Sequence, residues 1–152
     1  MSNFEHEPIM RTEHFPDDRK ECIFCQKQKE TVLLQNELAY SILDEYPVTE
    51  GHTLIIPKRH VEIILELSLM ETESIFLLIK ERIRNVETNP DSDILGWNIG
   101  INQGEVAGQT IKHFHVHLIP RRKDDVTNPR GGVRGVIPDK QDYMEAIPKS
   151  KS

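Results

Sequence analysis

No stretch of this 152-residue chain approaches the roughly 20 apolar residues that a membrane-spanning helix needs. The N-terminus also lacks the apolar core of a secretory signal, so the expectation is a cytoplasmic protein with no membrane partner. A surplus of positive charge is equally absent: 19 basic side chains stand against 25 acidic ones, a formal charge of −6. That balance argues against a general nucleic-acid binder, which relies on neutralising phosphates. It leaves room for a small anionic ligand, because local charge can oppose the net. No internal repeat is visible, and the length suits one domain with a proper core.

Cysteine is scarce too. The only two occur together, as Cys22-Ile23-Phe24-Cys25, which excludes a scattered disulfide framework. Such a pair can be a redox dithiol, half of a zinc site, or two ordinary buried thiols. On its own it decides nothing.

Residues 1–20 hold many charges, Pro8 and Pro16, and no periodic apolar face, so a loosely ordered arm is expected there. The fold is expected over residues 21–122. Residues 32–35 and 38–43 are apolar runs joined by Asn36-Glu37, which suits a hairpin. Thr53-Leu54-Ile55-Ile56 reads as a short buried strand that ends at Pro57. The pattern then turns helical, first at Val61, Ile64 and Leu65, and afterwards at Ile75, Leu78, Ile79, Ile83 and Val86. Ser68 and Glu71 supply a capping box for the longer helix, and Asn89-Pro90-Asp91 stops it. Residues 94–102 alternate, with Trp97, Ile99 and Ile101 on one face and Asn98, Gly100 and Asn102 on the other. The sum is an α+β domain with a mostly antiparallel sheet of about five strands and a long and a short helix. Residues 123–152 read as an extended tail. Its basic, glycine-rich stretch Arg130-Gly131-Gly132-Val133-Arg134-Gly135 could close over a polyphosphate, cover a dimer surface or stay solvated.

What the chain does have is His113-Phe114-His115-Val116-His117. In an extended strand, alternate residues share a face. The three imidazoles would then line one wall at intervals of about 6.5–7 Å, with Phe114, Val116 and Leu118 in a core. One histidine on such a face is usually a hydrogen-bonded structural residue; three in alternation all need partners or water. Two neighbouring rings can share a metal, but the outer two are about 13 Å apart along the backbone, so a single ion suits them poorly. A row of imidazoles fits phosphate chemistry better: one nitrogen attacks phosphorus while its neighbours stabilise the oxygens that gain charge.

The run Ala107-Gly108-Gln109-Thr110-Ile111-Lys112 followed by those histidines and Leu118-Ile119-Pro120-Arg121 resembles the signature of the histidine triad family of nucleotide hydrolases and transferases. Gly51-His52-Thr53-Leu54-Ile55-Ile56-Pro57-Lys58-Arg59-His60 resembles the family's other recurring segment. The resemblance covers roughly residues 22–122. It implies a nucleophile at His115, assisted by His117 and His52 at the phosphate oxygens or leaving group. It further implies that Gln109, Thr110 and Asn102 position phosphate and leaving group, that Asp44 accepts ribose hydroxyls, and that Ile42 and Leu43 border the base. Histidine rather than glutamine at 117 favours hydrolysis over nucleotide transfer between sugar phosphates. The expected activity is cleavage of dinucleoside polyphosphates or related nucleotidyl conjugates at the α-phosphate, through a nucleotidyl-histidine, with release of a nucleoside monophosphate such as AMP. Adenosine phosphoramidase activity, or a nucleotide-binding interaction module with weak catalysis, are the alternatives. In members with Cys-x-x-Cys, the resemblance implies a structural zinc held by Cys22, Cys25, His60 and His113. It also implies a homodimer.

Overall fold

A computed structural model describes residues 21–28 and 30–144 of the chain. The expected arm over residues 1–20 and the last residues of the expected tail lie outside that range. Five strands form one antiparallel sheet: β1 (Leu34–Gln35), β2 (Ala39–Leu43), β3 (Thr53–Pro57), β4 (Ile94–Gly100) and β5 (Val116–Arg122). Their order is β1-β2-β3-β5-β4. Among the described residues two α-helices accompany them, α1 (Ile23–Lys27) and the long α2 (Leu69–Glu87). This is the α+β arrangement that the sequence predicts.

The first hairpin closes on Asn36. Its Oδ1 accepts the backbone N–H groups of Leu38 (3.2 Å) and Ala39 (2.9 Å), and its amide donates to the Ser74 carbonyl of α2 (2.7 Å). An asparagine thus replaces the positive-φ turn that Asn-Gly would supply. The capping box forms as expected: Glu71 N donates to Ser68 Oγ (3.1 Å) and Ser68 N to Glu71 Oε2 (2.8 Å). Arg59 reaches Glu71 with two nitrogens, at 2.7 and 2.8 Å. That pair ties the start of α2 to the segment after β3.

The helical pattern at Val61, Ile64 and Leu65 yields only a 3-10 turn, Ile64–Glu66. Glu66 Oε2 accepts from Glu62 N, and Gln103 Oε1 from Ile64 N, both at 2.8 Å. With these side chains satisfying the backbone, no further helical turn is needed. The short helix is instead α1, inside the Cys-x-x-Cys segment.

Strand alternation divides the core in two. On the α2 side lie Ala39, Ile55, Val61, Ile75, Leu78, Ile79, Phe114, Val116 and Leu118. On the other side Phe24 of α1 covers Tyr40, Ile42, Leu54 and Ile56. Register puts Leu54 and Gly100 opposite His117. The second face is therefore the one that carries the histidines.

Residues 123–144 do not simply extend. Gly132–Val136 form a 3-10 helix that contacts β4. Among the described residues, no helix is long and apolar enough to cross a membrane.

Candidate functional site

The strand begins only at Val116, so of the three histidines His117 alone joins the ladder. His113 and His115 occupy an extended lead-in, pinned where Phe114 N donates to Val61 O (2.6 Å). Alternation survives without the ladder: Phe114, Val116 and Leu118 are all in the α2-side core. The three imidazoles nevertheless enter different environments.

His113 is fully buried, and its ring lies 4.9 Å from that of His60. Its Nε2–H donates to the Pro57 carbonyl (2.8 Å), which leaves the Nδ1 lone pair facing sulfur. Cys22 Sγ is 3.4 Å away and Cys25 Sγ 3.6 Å; Cys25 Sγ is also 3.3 Å from His60 Nδ1. Zn–S near 2.3 Å and Zn–N near 2.05 Å in a tetrahedron would separate S from N by roughly 3.6 Å. Two thiols and two imidazoles at these distances are a donor set that fits a tetrahedral metal. Burial, with His60 and His115 nearby, lowers the His113 pKa to about 4, so the ring is neutral as a ligand must be.

His115 points its Nδ1–H at the His113 carbonyl (2.7 Å). One residue thus serves two purposes: the side chain of His113 faces the cysteines while its carbonyl sets the tautomer of His115. With Nδ1 protonated, Nε2 of His115 keeps its lone pair. A second chain of bonds fixes the neighbouring rings. Val48 N donates to His52 Nδ1 (3.3 Å), and His52 Nε2 in turn donates to His117 Nδ1 (3.0 Å). His117 Nε2 must then carry hydrogen, and it is buried with no partner among the described residues. A lone pair on one ring and an unsatisfied N–H on the next stand side by side, with ring centroids 5.0 Å apart.

Burial holds all three of these rings below the usual histidine range. His117 is lowered to about 4, with His115 and His52 adding to the effect of burial, and His52 and His115 are lowered as well. Each is neutral at neutral pH.

Asp44, at the end of β2, places Oδ2 3.6 Å from His52 Nδ1. Its Oδ1 accepts from Tyr46 N (2.8 Å). Asp44, His52 and His117 present ligand-type atoms within 4.8 Å of one another. The other predicted positions are dispersed. Ile42 is buried beneath α1, whereas Leu43 lies on the α2 side of the sheet and is 52% exposed. Gln109 is buried, with its amide committed to Gly104 N, Glu62 O and Ile111 O. It fastens the loop before the histidines. Thr110 is exposed, and half-buried Asn102 lies beside Gly108.

Sequence reasoning missed Phe24. Its ring meets His115 edge-on at 5.1 Å and His113 at 5.9 Å, and its carbonyl accepts the Tyr40 hydroxyl. The available signal was a large apolar residue inside a metal-type Cys-x-x-Cys spacing.

Comparison with known proteins extends this picture. The pattern of the HIT domain matches residues 26–124. The chain is 34% identical over 97 residues to the bis(5'-adenosyl)-triphosphatase of Dictyostelium discoideum, covering 64% of each protein. It is 33% identical over 112 residues to the adenosine 5'-monophosphoramidase of Candida albicans, covering 70% of this chain and 73% of that one. Among solved structures, a zinc-bound histidine triad family protein from Mycobacterium smegmatis superposes with a TM-score of 0.63 at 30% identity, over 72% of this chain and 81% of that chain.

Proposed function

Because this chain belongs to the HIT domain family, we propose that it is a nucleotide hydrolase in which His115 is the nucleophile. The lone pair of His115 Nε2 forms a bond to the α-phosphorus of a nucleotidyl conjugate, and the bond from phosphorus to the leaving atom breaks. His117 Nε2–H donates a hydrogen bond to that leaving atom as it takes up the electron pair, and His52 supports His117 through the bond at Nδ1. Water then attacks phosphorus and releases a proton to solvent, the N–P bond breaks with its electron pair returning to His115 Nε2, and a nucleoside monophosphate such as AMP departs. During the intermediate the His115 ring carries positive charge, which the His113 carbonyl stabilises. Asp44 accepts ribose hydroxyls, Ile42 and Phe24 border the base, and Asn102 and Thr110 meet the phosphates.

The observation that carries this reading is the paired tautomers: an accepting Nε2 on His115 beside a donating, unpartnered Nε2 on His117. His115→Ala is expected to abolish turnover while AMP binding persists; continued hydrolysis by that variant would reject the mechanism. The named relatives favour two leaving groups, a nucleotide and an amine. A panel of dinucleoside polyphosphates and adenosine phosphoramidates separates them.

Cys22, Cys25, His60 and His113 would hold a zinc ion, a role supported by their donor geometry and by the zinc-bound relative. Four protein ligands close the shell, so the metal supplies structure: it fastens α1 to the segment that bears His115. A Cys-x-x-Cys pair committed to a metal rather than to a disulfide framework suits a reducing compartment such as the cytoplasm. A homodimer is the fitting assembly. An apolar groove of about 360 Å³ runs between α2 and the end of β4, lined by Ile75, Ile79 and the 57%-exposed Phe76. A second copy of the chain would cover it.

A further inference from the structure

The basic stretch 130–135 has a defined position. Gly132 rests on Asn98, whose Nδ2 lies only 3.0 Å from where a β-carbon on that glycine would be. Asn98 Oδ1 also accepts from Arg121 Nη1 (2.6 Å). Register places this contact on the histidine face, since Asn98 pairs with Ile119 and Gly100 with His117. Extending the β3–β5 register one residue past Thr53 and Leu118 sets His52 opposite Ile119. A single half-buried side chain, Ile119, thus separates the loop's landing point from His52.

The loop's shape is specified as well. Gly131 has φ +82°, and a β-carbon there would fall 1.8 Å from the Gln141 carbonyl; one at Gly135 would fall 2.7 Å from Gln141 Oε1. Gln141 donates to Asn128 O (3.3 Å) and Asn128 to Asp142 (2.8 Å). A solvated tail has no need for glycines packed this closely around one glutamine.

Its charges are largely uncommitted. Arg121 and Arg122 are neutralised by Asp125 and Asp93. Arg130 has only a 3.9 Å approach to Asp142, and Arg134 is exposed with no acidic partner among the described residues. Two available guanidinium groups in a chain of net charge −6 therefore stand on a loop that lands on the histidine face, one residue across the sheet from His52. Guanidinium is suited to phosphate oxygens.

We propose that Arg130 and Arg134 form an anionic subsite for the distal phosphates of the leaving group, selecting polyphosphate conjugates over those with a small uncharged leaving group. The proposal rests on the hydrolase reading and names its substrate class. The loop backbone that carries the two arginines is folded before substrate arrives, and their contribution weakens with added salt.

The test compares wild type with Arg130→Ala/Arg134→Ala on diadenosine tetraphosphate and on an adenosine phosphoramidate. Each exposed arginine–phosphate contact is worth roughly fivefold at most. KM for the tetraphosphate is expected to rise by roughly 10- to 25-fold at low salt, with kcat little changed and the phosphoramidate unaffected. An unchanged tetraphosphate KM, or an equal loss on both substrates, overturns the subsite. A second measurement requires no turnover: calorimetric binding of inorganic tripolyphosphate to His115→Ala, with and without the two arginine substitutions. Weaker binding in the triple variant supports the subsite even if wild type hydrolyses neither substrate, which would sink only the hydrolase reading. Equal binding refutes the subsite.

Discussion

Glu71→Gln removes one charge at nearly constant volume, and its effect follows from a single clamp. The Glu71 carboxylate is almost wholly buried; it receives two nitrogens of Arg59 and the Ser68 backbone N–H. The Arg59 hydrogen bonds hold its pKa near 2, against an ordinary 4.5. That difference corresponds to a ceiling of about 3.4 kcal/mol. The Arg59 side chain is 56% exposed, so solvent screening reduces that to about 2 kcal/mol. Glutamine retains an oxygen for the Ser68 N–H, which keeps the cap and leaves the charge as the main loss. The sign follows from the lowered pKa. The contribution is complete above about 4.5 and disappears as pH falls through about 2. Urea unfolding of both proteins from pH 7 to pH 2.5 measures it: the wild-type advantage should be about 2 kcal/mol at neutral pH and shrink progressively below 4.5. An advantage that stays constant across that range would refute the electrostatic origin. Arg59 adjoins His60, so the variant should also loosen the metal-type cluster, visible as easier chelation.

Two further outcomes are expected. With His117 held near 4 and His115 and His52 also lowered by burial from the usual histidine range, the acid limb of hydrolysis should lie below 6.5. A kcat profile with its acid limb at 6.5 contradicts the buried, neutral rings. Elemental analysis of purified protein should find about one zinc per chain, lost in Cys22→Ser and kept in His115→Ala; loss in the second variant would transfer the metal to His115.

Much of this was legible in sequence because the relevant signals are local. The Asn36 hairpin, the Ser68–Glu71 cap and the apolar alternation of Phe114, Val116 and Leu118 each depend on residues within a few positions. The resemblance to the histidine triad family added the family itself, which the match over residues 26–124 bears out. Less legible was anything that depended on a distant partner. The strand's late start at Val116 reflects Val61 capturing Phe114 N, 53 residues away in sequence. The short helix moved to residues 23–27 because Phe24 finds its apolar contacts under the sheet. Gln109 looked free to meet a phosphate, and its three backbone partners were not visible from spacing. The tail read as extended because glycine and arginine suggest solvent, whereas Gln141 and Asn98 fold the loop around themselves.

The late start of β5 has an evolutionary corollary. His113, His115 and His117 answer to different restraints: the cysteine cluster, a backbone carbonyl, and the sheet with His52. Point substitution at any one leaves the others' supports standing. Insertion or deletion of a single residue between them is another matter. It would turn over the residues on one side of the change, sending apolar side chains toward the site and imidazoles toward the α2 core. A lineage with this segment is thus free to vary which histidines it keeps, but not the spacing that separates them.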